Sequence, residues 1–547
     1  MNNILFKILM LKGDAGEPTD EQTQSAVDDY MQAHPEAAID ETIINSAVGD
    51  WLDDHPEATT TVQDGSLTEA KLSQALKLKT IKDYVTPEMF GAKGDGITND
   101  YNAIVSAIET GKNVLFSNGA TYSVTITGSE DSYNPSGILI QDNQIIDLNG
   151  ATIQEVSSGG SNGKLFLLEN IENAVIKNGT LIGDMDTPTT EYWAGINVLS
   201  SNNIVLENLI IKDFHGDGIT LSEYSTSEIP TENVVIRNCF IDGSYRNGIS
   251  LIAVNNVDIG GCIISNTSGT SPQSGIDIEP NRAYQTCNEI FIHDCFFEQN
   301  ASSGIAIDYH NSPSEISVMI SNCTFKGGQR PFRIRDNSNE TTTTGFIKIN
   351  NCICDGITDR LIEVYGHYND KFPVYFDNIK AINCTVDSSS SVQNKSMIYV
   401  HNDDLDGSNI TQGLYFNNID FENCDYERDI FALQTNLIYR GSLKKAIVLS
   451  GSNNYECDVK PIDMAGYGSL GNSTTLPLVS NLSFRMGYYA SSSRTSNANV
   501  TIGSLPKGLQ IEFVNYNATY SIVINSSFTV PPLSRAVWDT TNNVLIV

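Results

Sequence analysis

Two short segments carry the residues best suited to chemistry. SGIDIEPN holds Asp277 and Glu279, and SGIAIDYH holds Asp308. Carboxyl groups crowded into one site raise at least one pKa, which keeps a carboxyl protonated as a general acid. The matching reaction is cleavage of a glycosidic bond. One carboxylic acid protonates the leaving oxygen, and a second carboxylate attacks the sugar or activates water. Arg246, Arg282, Arg333, Arg335, Glu363, Tyr309 and His310 lie in or beside the same segments and their repeats. Arginine forks onto hydroxyls, carboxylates or phosphates, and tyrosine stacks on a sugar ring. These are the candidate substrate-binding residues.

A repeat must bring these residues together. The stretches NIVLENLIIKDFHGDGITLS, NVVIRNCFIDGSYRNGISLI, NVDIGGCIISNTSGTSPQSGIDIE, EIFIHDCFFEQNASSGIAID, SVMISNCTFKGGQRPFRIR and FIKINNCICDGITDRLIEVY recur at about 23 to 33 residues. A strand-like pattern with that period means a solenoid. The absence of long helical patterns between the strands excludes a Rossmann or TIM alternation. Equivalent residues of a solenoid stack about 4.8 Å apart. In GITLS, GISLI, GIDIE and GIAID the Ile and the second apolar residue point inward, and the third and fifth residues point outward. With PFRIR and LIEVY in the same register, one outward column reads Thr220, Ser250, Asp277, Ala306, Arg333, Glu363. The next reads Ser222, Ile252, Glu279, Asp308, Arg335, Tyr365.

Glu279 and Asp308 then have backbones about 5 Å apart, and Asp277 and Asp308 lie about 8 Å apart on the diagonal. Retaining glycosidases use roughly 5 Å between carboxyls and inverting ones about 6.5–9.5 Å, so both outcomes fit. Stacked charges of opposite sign also make a plain solvated face held by rung-to-rung pairing. The loop before Asp277, NTSGTSPQSG, is longer than its neighbours and would wall a groove. Trp193 in EYWAGINV is either a further sugar subsite or surface packing. Asp217 and His215 in DFHGDGIT are further catalytic candidates, although Gly-Asp-Gly at a corner reads first as a turn.

Composition narrows the classes. The chain has 547 residues and a formal net charge of −34, which repels nucleic acid and anionic membranes. No segment is long and apolar enough for a membrane helix. Of the 10 Cys, seven recur at matching places: Cys239, Cys262, Cys295, Cys323, Cys352, Cys384 and Cys424. They read as a column of small buried residues, since the only close pair is Cys352 with Cys354. The start, MNNILFKILMLKG, has a short apolar run broken by Lys7 and no small-residue cleavage site, so no cleaved signal peptide is expected.

Residues 1–85 carry three short helical patterns, with capping boxes at Thr19/Gln22 and Ser66/Glu69 and helix stops at Pro35 and Pro56. His34 and His55 read as closing helix C-termini rather than as ligands. At Phe90 the text becomes FGAKGDGITNDYNAIVSAIETGKNVLFSNGATYSV: a Gly-rich turn, a short amphipathic helix with Asp100 near its N-terminus, then a strand. This segment resembles the start of the pectate-lyase-like superfamily, as in phage tailspikes and related carbohydrate-active proteins. The resemblance implies a right-handed single-stranded parallel β-helix over 86–440, capped at its open end by the helix, and it favours inversion. SGIDIEPN is also similar to segments of that superfamily. A helical adaptor over 1–85 would attach to a virion baseplate or tail protein. Residues 441–547 would form a β-rich C-terminal domain, often a site of homotrimerisation. The protein would be made in the host cytoplasm and act outside the cell on a virion tail.

The chain departs from the polygalacturonase pattern, with no paired-Asp motif and no Gly-His-Gly, which argues against pectin. It also lacks the dense carboxylate loop of calcium-dependent pectate lyases, so no cofactor or metal is expected, with calcium left open. Three functions compete: an endo-acting tailspike-like glycoside hydrolase that depolymerises a bacterial surface polysaccharide, a polysaccharide lyase with an Arg, His or Tyr base, and a non-catalytic receptor-binding fibre. A free-living bacterial glycosidase fits the helical N-terminus less well.

Overall fold

The computed structural model describes residues 84–430, apart from 131–134, 186–190, 225–227, 312, 314, 337–341, 368–370, 387–395, 402–410 and 427, and beyond 430 the backbones of strands alone. The chain divides into two compact units, Met1–Lys82 and Asp83–Val547. The helices expected in the first unit, with His34 and His55, lie outside the described residues.

The second unit is a parallel β-helix whose rungs each contribute up to three strands. One rung runs Thr231–Arg237, Phe240–Asp242, Ile249–Leu251, and the next runs Val254–Gly260, Ile263–Ser265, Ile276–Ile278. Each strand pairs in parallel with its successor. The face that matters for function comprises β1 (Ala194–Leu199), β2 (Asp217–Ser222), β3 (Ile249–Leu251), β4 (Ile276–Ile278), β5 (Ser303–Tyr309), β6 (Arg330–Asp336) and β7 (Ile362–Tyr365). On its inner side Ile219, Ile249, Ile276, Ile305, Phe332 and Ile362 stack in one column. Leu221, Leu251, Ile278, Ile307, Ile334 and Val364 stack in the next. All are buried, and each such side chain contributes about 1.5–3 kcal/mol by leaving water. Of the cysteine column, all but the half-buried Cys424 are buried free thiols.

The corners explain two recurring residue types. Asn takes the left-handed conformation at one turn after another, as at Asn203 (φ 59°). There its amide donates to Asn173 Oδ1 of the previous rung at 3.1 Å. Glycine precedes the leading Ile of β2 to β5 because another backbone passes close by. A Cβ on Gly275 would lie 2.6 Å from the Gly304 carbonyl oxygen and 2.8 Å from Phe297 Cδ1. Gly275→Ala is therefore expected to cost roughly 1–3 kcal/mol, seen as a lower thermal midpoint. Activity should fall with it, since Asp277 is two residues away; an unchanged midpoint would show that the corner has slack.

The helix α1 (Tyr101–Ile108) covers the open end of the solenoid and buries Ile104, Ala107 and Ile108. Asp100 stands at its N-cap but makes no side-chain cap bond there. Its carboxylate instead accepts the Lys93 and Gly94 amides at 2.7 and 3.0 Å, fastening the Gly-rich turn. At the other end the parallel ladder passes residue 440. Arg428–Leu433, Ile447–Ser450, Gly466–Ser469, Arg485–Ala490 and Gln510–Asn515 pair in succession, and this ladder takes on an antiparallel strand at Arg535–Asp539, while Ile522–Ile524 and Phe528–Val530 pair antiparallel in a separate sheet. The expected break at 441 is thus not a break in strand pairing. The rungs shorten there, so the apolar spacing that marks them in the sequence is lost while the backbone ladder continues.

One buried polar pair makes the interior pH-sensitive. Tyr309, at the end of β5, points inward with its hydroxyl 2.9 Å from His367 Nδ1, and His367 Nε2 has no hydrogen-bond partner among the described residues. Burial lowers His367 from its ordinary 6.5 to about 4. Between those values the unfolded chain takes up a proton that the folded chain refuses, so stability drops as pH falls from 6.5 towards 4, by about 3 kcal/mol in all. Thermal midpoints of the wild type and His367→Gln, measured across that window, should diverge in slope, with the wild type the steeper. Parallel slopes would assign the acid sensitivity elsewhere.

Candidate active site

The outer columns of the face follow the expected register. Thr220, Ser250, Asp277, Ala306, Arg333 and Glu363 stack in sequence order. In the second column Asp308, Arg335 and Tyr365 stack. Glu279 follows β4 directly, and its amide donates to the Leu251 carbonyl at 2.8 Å.

Outward direction does not mean exposure. Asp277 is 0% exposed, Glu363 2% and Asp308 8%. Long side chains from neighbouring rungs fold over them, which corrects the expectation of an open patch. Arg246, from the turn before β3, lies at the centre of this cover. Its Nη1 donates to the Asp217 carboxylate at 3.2 and 3.3 Å, its Nη2 to Glu279 Oε2 at 3.4 Å, and its Nε lies 3.5 Å from Glu191 Oε2. Asn247 is wholly buried; its amide group donates to Ser250 Oγ at 3.0 Å and to Asp277 Oδ2 at 3.2 Å.

Asp277 Oδ1 is buried with no hydrogen-bond partner among the described residues. Burial first, then the Glu279 and Asp308 carboxylates, push Asp277 well above the usual carboxylate range, against the pull of Arg246 and Arg333. Glu279 is also raised, by burial and by Asp308, against Arg246 and His310, whose Nε2 lies 3.9 Å from Oε1. Asp277 and Glu279 are a close carboxyl pair, and a proton on one relieves the repulsion between like charges. Glu279 is the member open to solvent, with a quarter of its side chain exposed.

The next rung differs. Arg333 grips Asp308 through Nη2 at 2.6 Å and Nε at 3.3 Å, a bidentate fork that leaves Asp308 oriented and charge-paired. Glu363, one rung further, is saturated: Arg330 Nη1 donates to it at 2.6 Å, Tyr365 OH at 3.1 Å, and Arg360 as well. It belongs to an ion-pair ladder with Asp359, 2.8 Å from Arg330 Nη2. The charged strip therefore has two parts: an ion-pair ladder around Glu363, and a crowded carboxyl pair around Asp277.

The loops beside these rungs are tied down. His215 stacks on Tyr245, centroids 4.9 Å apart, and the loop before β4 lies on that turn, with the Thr270 amide donating to the Tyr245 carbonyl at 2.8 Å. After β4, Arg282 Nη1 donates to Tyr284 OH at 2.6 Å, and Gln285 Nε2 ties the loop to Glu223 at 2.6 Å. His215 is thus engaged with Tyr245, and Asp217 anchors Arg246.

Two expected sugar contacts are corrected. Tyr309 is 1% exposed, because it alternates with Asp308 and faces the core. Trp193 is 2% exposed; its ring fills space left by Gly163 and Gly128, where an added Cβ would come within 2.5 and 2.8 Å of it. Asn247, Arg330 and Arg360 were not singled out from the sequence. The polar residues before each glycine of the repeat, Asp217, Asn247, Ser274 and Ser303, were a signal for the first of them.

No protein-family model matches the chain. In sequence it is similar to YclG of Bacillus subtilis, 29% identical over 268 residues, which are 42% of this chain and 45% of that protein. A capsule K30/K69-specific depolymerase of Klebsiella phage K64-1 is 58% identical over 48 residues, 8% of this chain and 6% of that one. The chain spans under half the length of these curated relatives. A family 28 exopolygalacturonase of Yersinia enterocolitica superposes with a TM-score of 0.45 at 12% identity, covering 70% of this chain and 76% of that one; so loose a likeness carries no argument about activity. The chain is a parallel β-helix, and parts of its sequence are similar to capsule-specific depolymerases of Klebsiella phages.

Proposed function

We propose that this protein is a tailspike-like depolymerase that binds a bacterial surface polysaccharide and hydrolyses its glycosidic bonds internally. The observation that carries the reading is the crowding of three carboxyl groups on two neighbouring rungs, with Asp277 wholly buried, Glu279 beside it and Asp308 in the grip of Arg333. Glu279, the open member of the pair, donates the proton to the leaving oxygen. Asp308, one rung away, activates water for attack on the opposite side of the sugar, which inverts the anomeric centre. Asp277, sealed from solvent, acts through Glu279 as a positioning residue. The small part shared with a capsule-specific depolymerase supports the substrate class. Attachment to a virion through residues 1–85 and assembly as a homotrimer complete the proposal.

Incubation with purified host surface glycans, followed by product mass, tests it. Fragments of whole repeat units plus water indicate hydrolysis. Fragments lacking the water, with an unsaturated end, would favour a lyase in which His310, at 3.9 Å from Glu279, serves as base. A protein that binds host cells yet releases no fragment from any host glycan is a receptor-binding fibre, and the enzymatic reading falls. Proton NMR of the first product formed reports inversion or retention.

A further inference from the structure

The two sides of the carboxyl pair along the solenoid are chemically unlike. Towards the N-terminus the outer columns hold uncharged residues, the hydroxyl-bearing Ser250, Thr220 and Ser222 together with Ile252. Towards the C-terminus they hold arginine and tyrosine. Along this face four arginines, Arg246 before the pair and Arg330, Arg333 and Arg360 after it, are each committed to a carboxylate of the protein. Arg335 is not. It is exposed, makes no ion pair among the described residues, and is the strand neighbour of Asp308 on one side and Tyr365 on the other. Its guanidinium carbon stands 5.9 Å from the Tyr365 ring centroid. Asp308, the carboxylate that could have neutralised it, is already held by Arg333 in two hydrogen bonds.

A guanidinium resting on an aromatic face keeps its donor edges turned outward while the ring limits its wandering. In a chain of net charge −34, an anionic ligand gains most where a cation is left without a protein partner. We propose, building on the depolymerase reading, that Arg335 and Tyr365 form a subsite for a negatively charged sugar one rung to the C-terminal side of the cleavage point. The substrate is then an acidic glycan, bound in one direction, with its oxyanion on Arg335 and its ring against Tyr365. A uronic acid and a phosphate-bearing sugar share this chemistry.

Affinity electrophoresis of the full chain through gels containing acidic bacterial exopolysaccharides separates the cases. The gels would hold a uronic-acid polymer, its carboxyl-reduced counterpart and a phosphate-bearing polymer, and the proteins would be the wild type, Arg335→Gln and Arg335→Lys. A charged hydrogen bond of this kind corresponds to about 10- to 100-fold in affinity. The expected result is retardation of the wild type by an acidic polymer, lost on carboxyl reduction if the group is a uronate and persisting only on the phosphate polymer if it is a phosphate. Arg335→Gln should lose about that factor, and Arg335→Lys should keep part of it. On a cleaved glycan the same loss should appear in KM with kcat held. Equal retardation of wild type and Arg335→Gln, equal retardation by native and reduced polymer with none by phosphate, or no retardation by any acidic polymer overturns the subsite. Arg335-dependent retardation without any product would instead keep the subsite and sink the depolymerase.

Discussion

Glu279→Gln is expected to lower kcat on the host glycan by about 10²–10⁴-fold, the usual contribution of a positioned general acid, while binding is retained. The amide keeps the size and the Arg246 contact at 3.4 Å within reach but has no proton of the needed acidity. The pH profile of the wild type should carry the same signature. Because Glu279 and Asp277 are raised, the protonated pair survives above the ordinary carboxylate range, and activity should fall as pH climbs through the raised value. Asp277→Asn removes the neighbouring carboxyl without touching a substrate. It should move that alkaline limb to higher pH with KM little changed, because Asp277 pulls the Glu279 pKa down, and a purely structural role for Asp277 would not move it. If Glu279→Gln depolymerises as fast as the wild type, this carboxyl is not the acid.

The solenoid register explains how much of this site the sequence disclosed. The Gly-Ile strands repeat because glycine alone fits the corner and Ile fills the core, so reading GIDIE against GIAID placed Asp277, Glu279 and Asp308 in neighbouring rungs correctly. Neighbourhood along a ladder is a backbone property, and backbone pairing follows from period and alternation. Coverage is not. Whether Asp277 is open or sealed depends on the path of the Arg246 and Arg333 side chains, and nothing in the spacing of residues specifies that path. Alternation itself said that Tyr309 faces inward once Asp308 faces outward. An aromatic ring next to a carboxylate suggests a sugar contact, and here the alternation outweighs that suggestion. Trp193 was less legible, because the space it occupies is made by two glycines, Gly163 and Gly128, of an earlier part of the chain. The same register separates Glu363 from the catalytic pair only after its three donors are known.

Replacing Arg246 by Gln is expected to destabilise the fold by about 3–5 kcal/mol, the range for removing one member of a buried ion-pair cluster. Its guanidinium touches Asp217, Glu279 and Glu191, and only 18% of its side chain is exposed. Those acids hold it well above its usual pKa against the cost of burial, so at working pH it is a fixed positive charge. Without it Asp217, 7% exposed in its side chain, loses its counter-charge, and Asp277 and Glu279 lose a group that pulls their pKa values down. Two consequences are separable. Thermal unfolding should show the loss of stability at neutral pH and recover part of it on mild acidification, because protonating the stranded carboxyls removes the repulsion. In whatever fraction remains folded, the alkaline limb of activity should move to higher pH, the direction also expected for Asp277→Asn. Arg246→Lys restores the charge but not the fork that spans Asp217 and Glu279, so it should rescue the pH limb more fully than the thermal midpoint. A variant as stable as the wild type would mean that the acids of this strip are neutralised by other means, and the account of Glu279 as a carboxyl poised between Arg246 and Asp277 would fail with it.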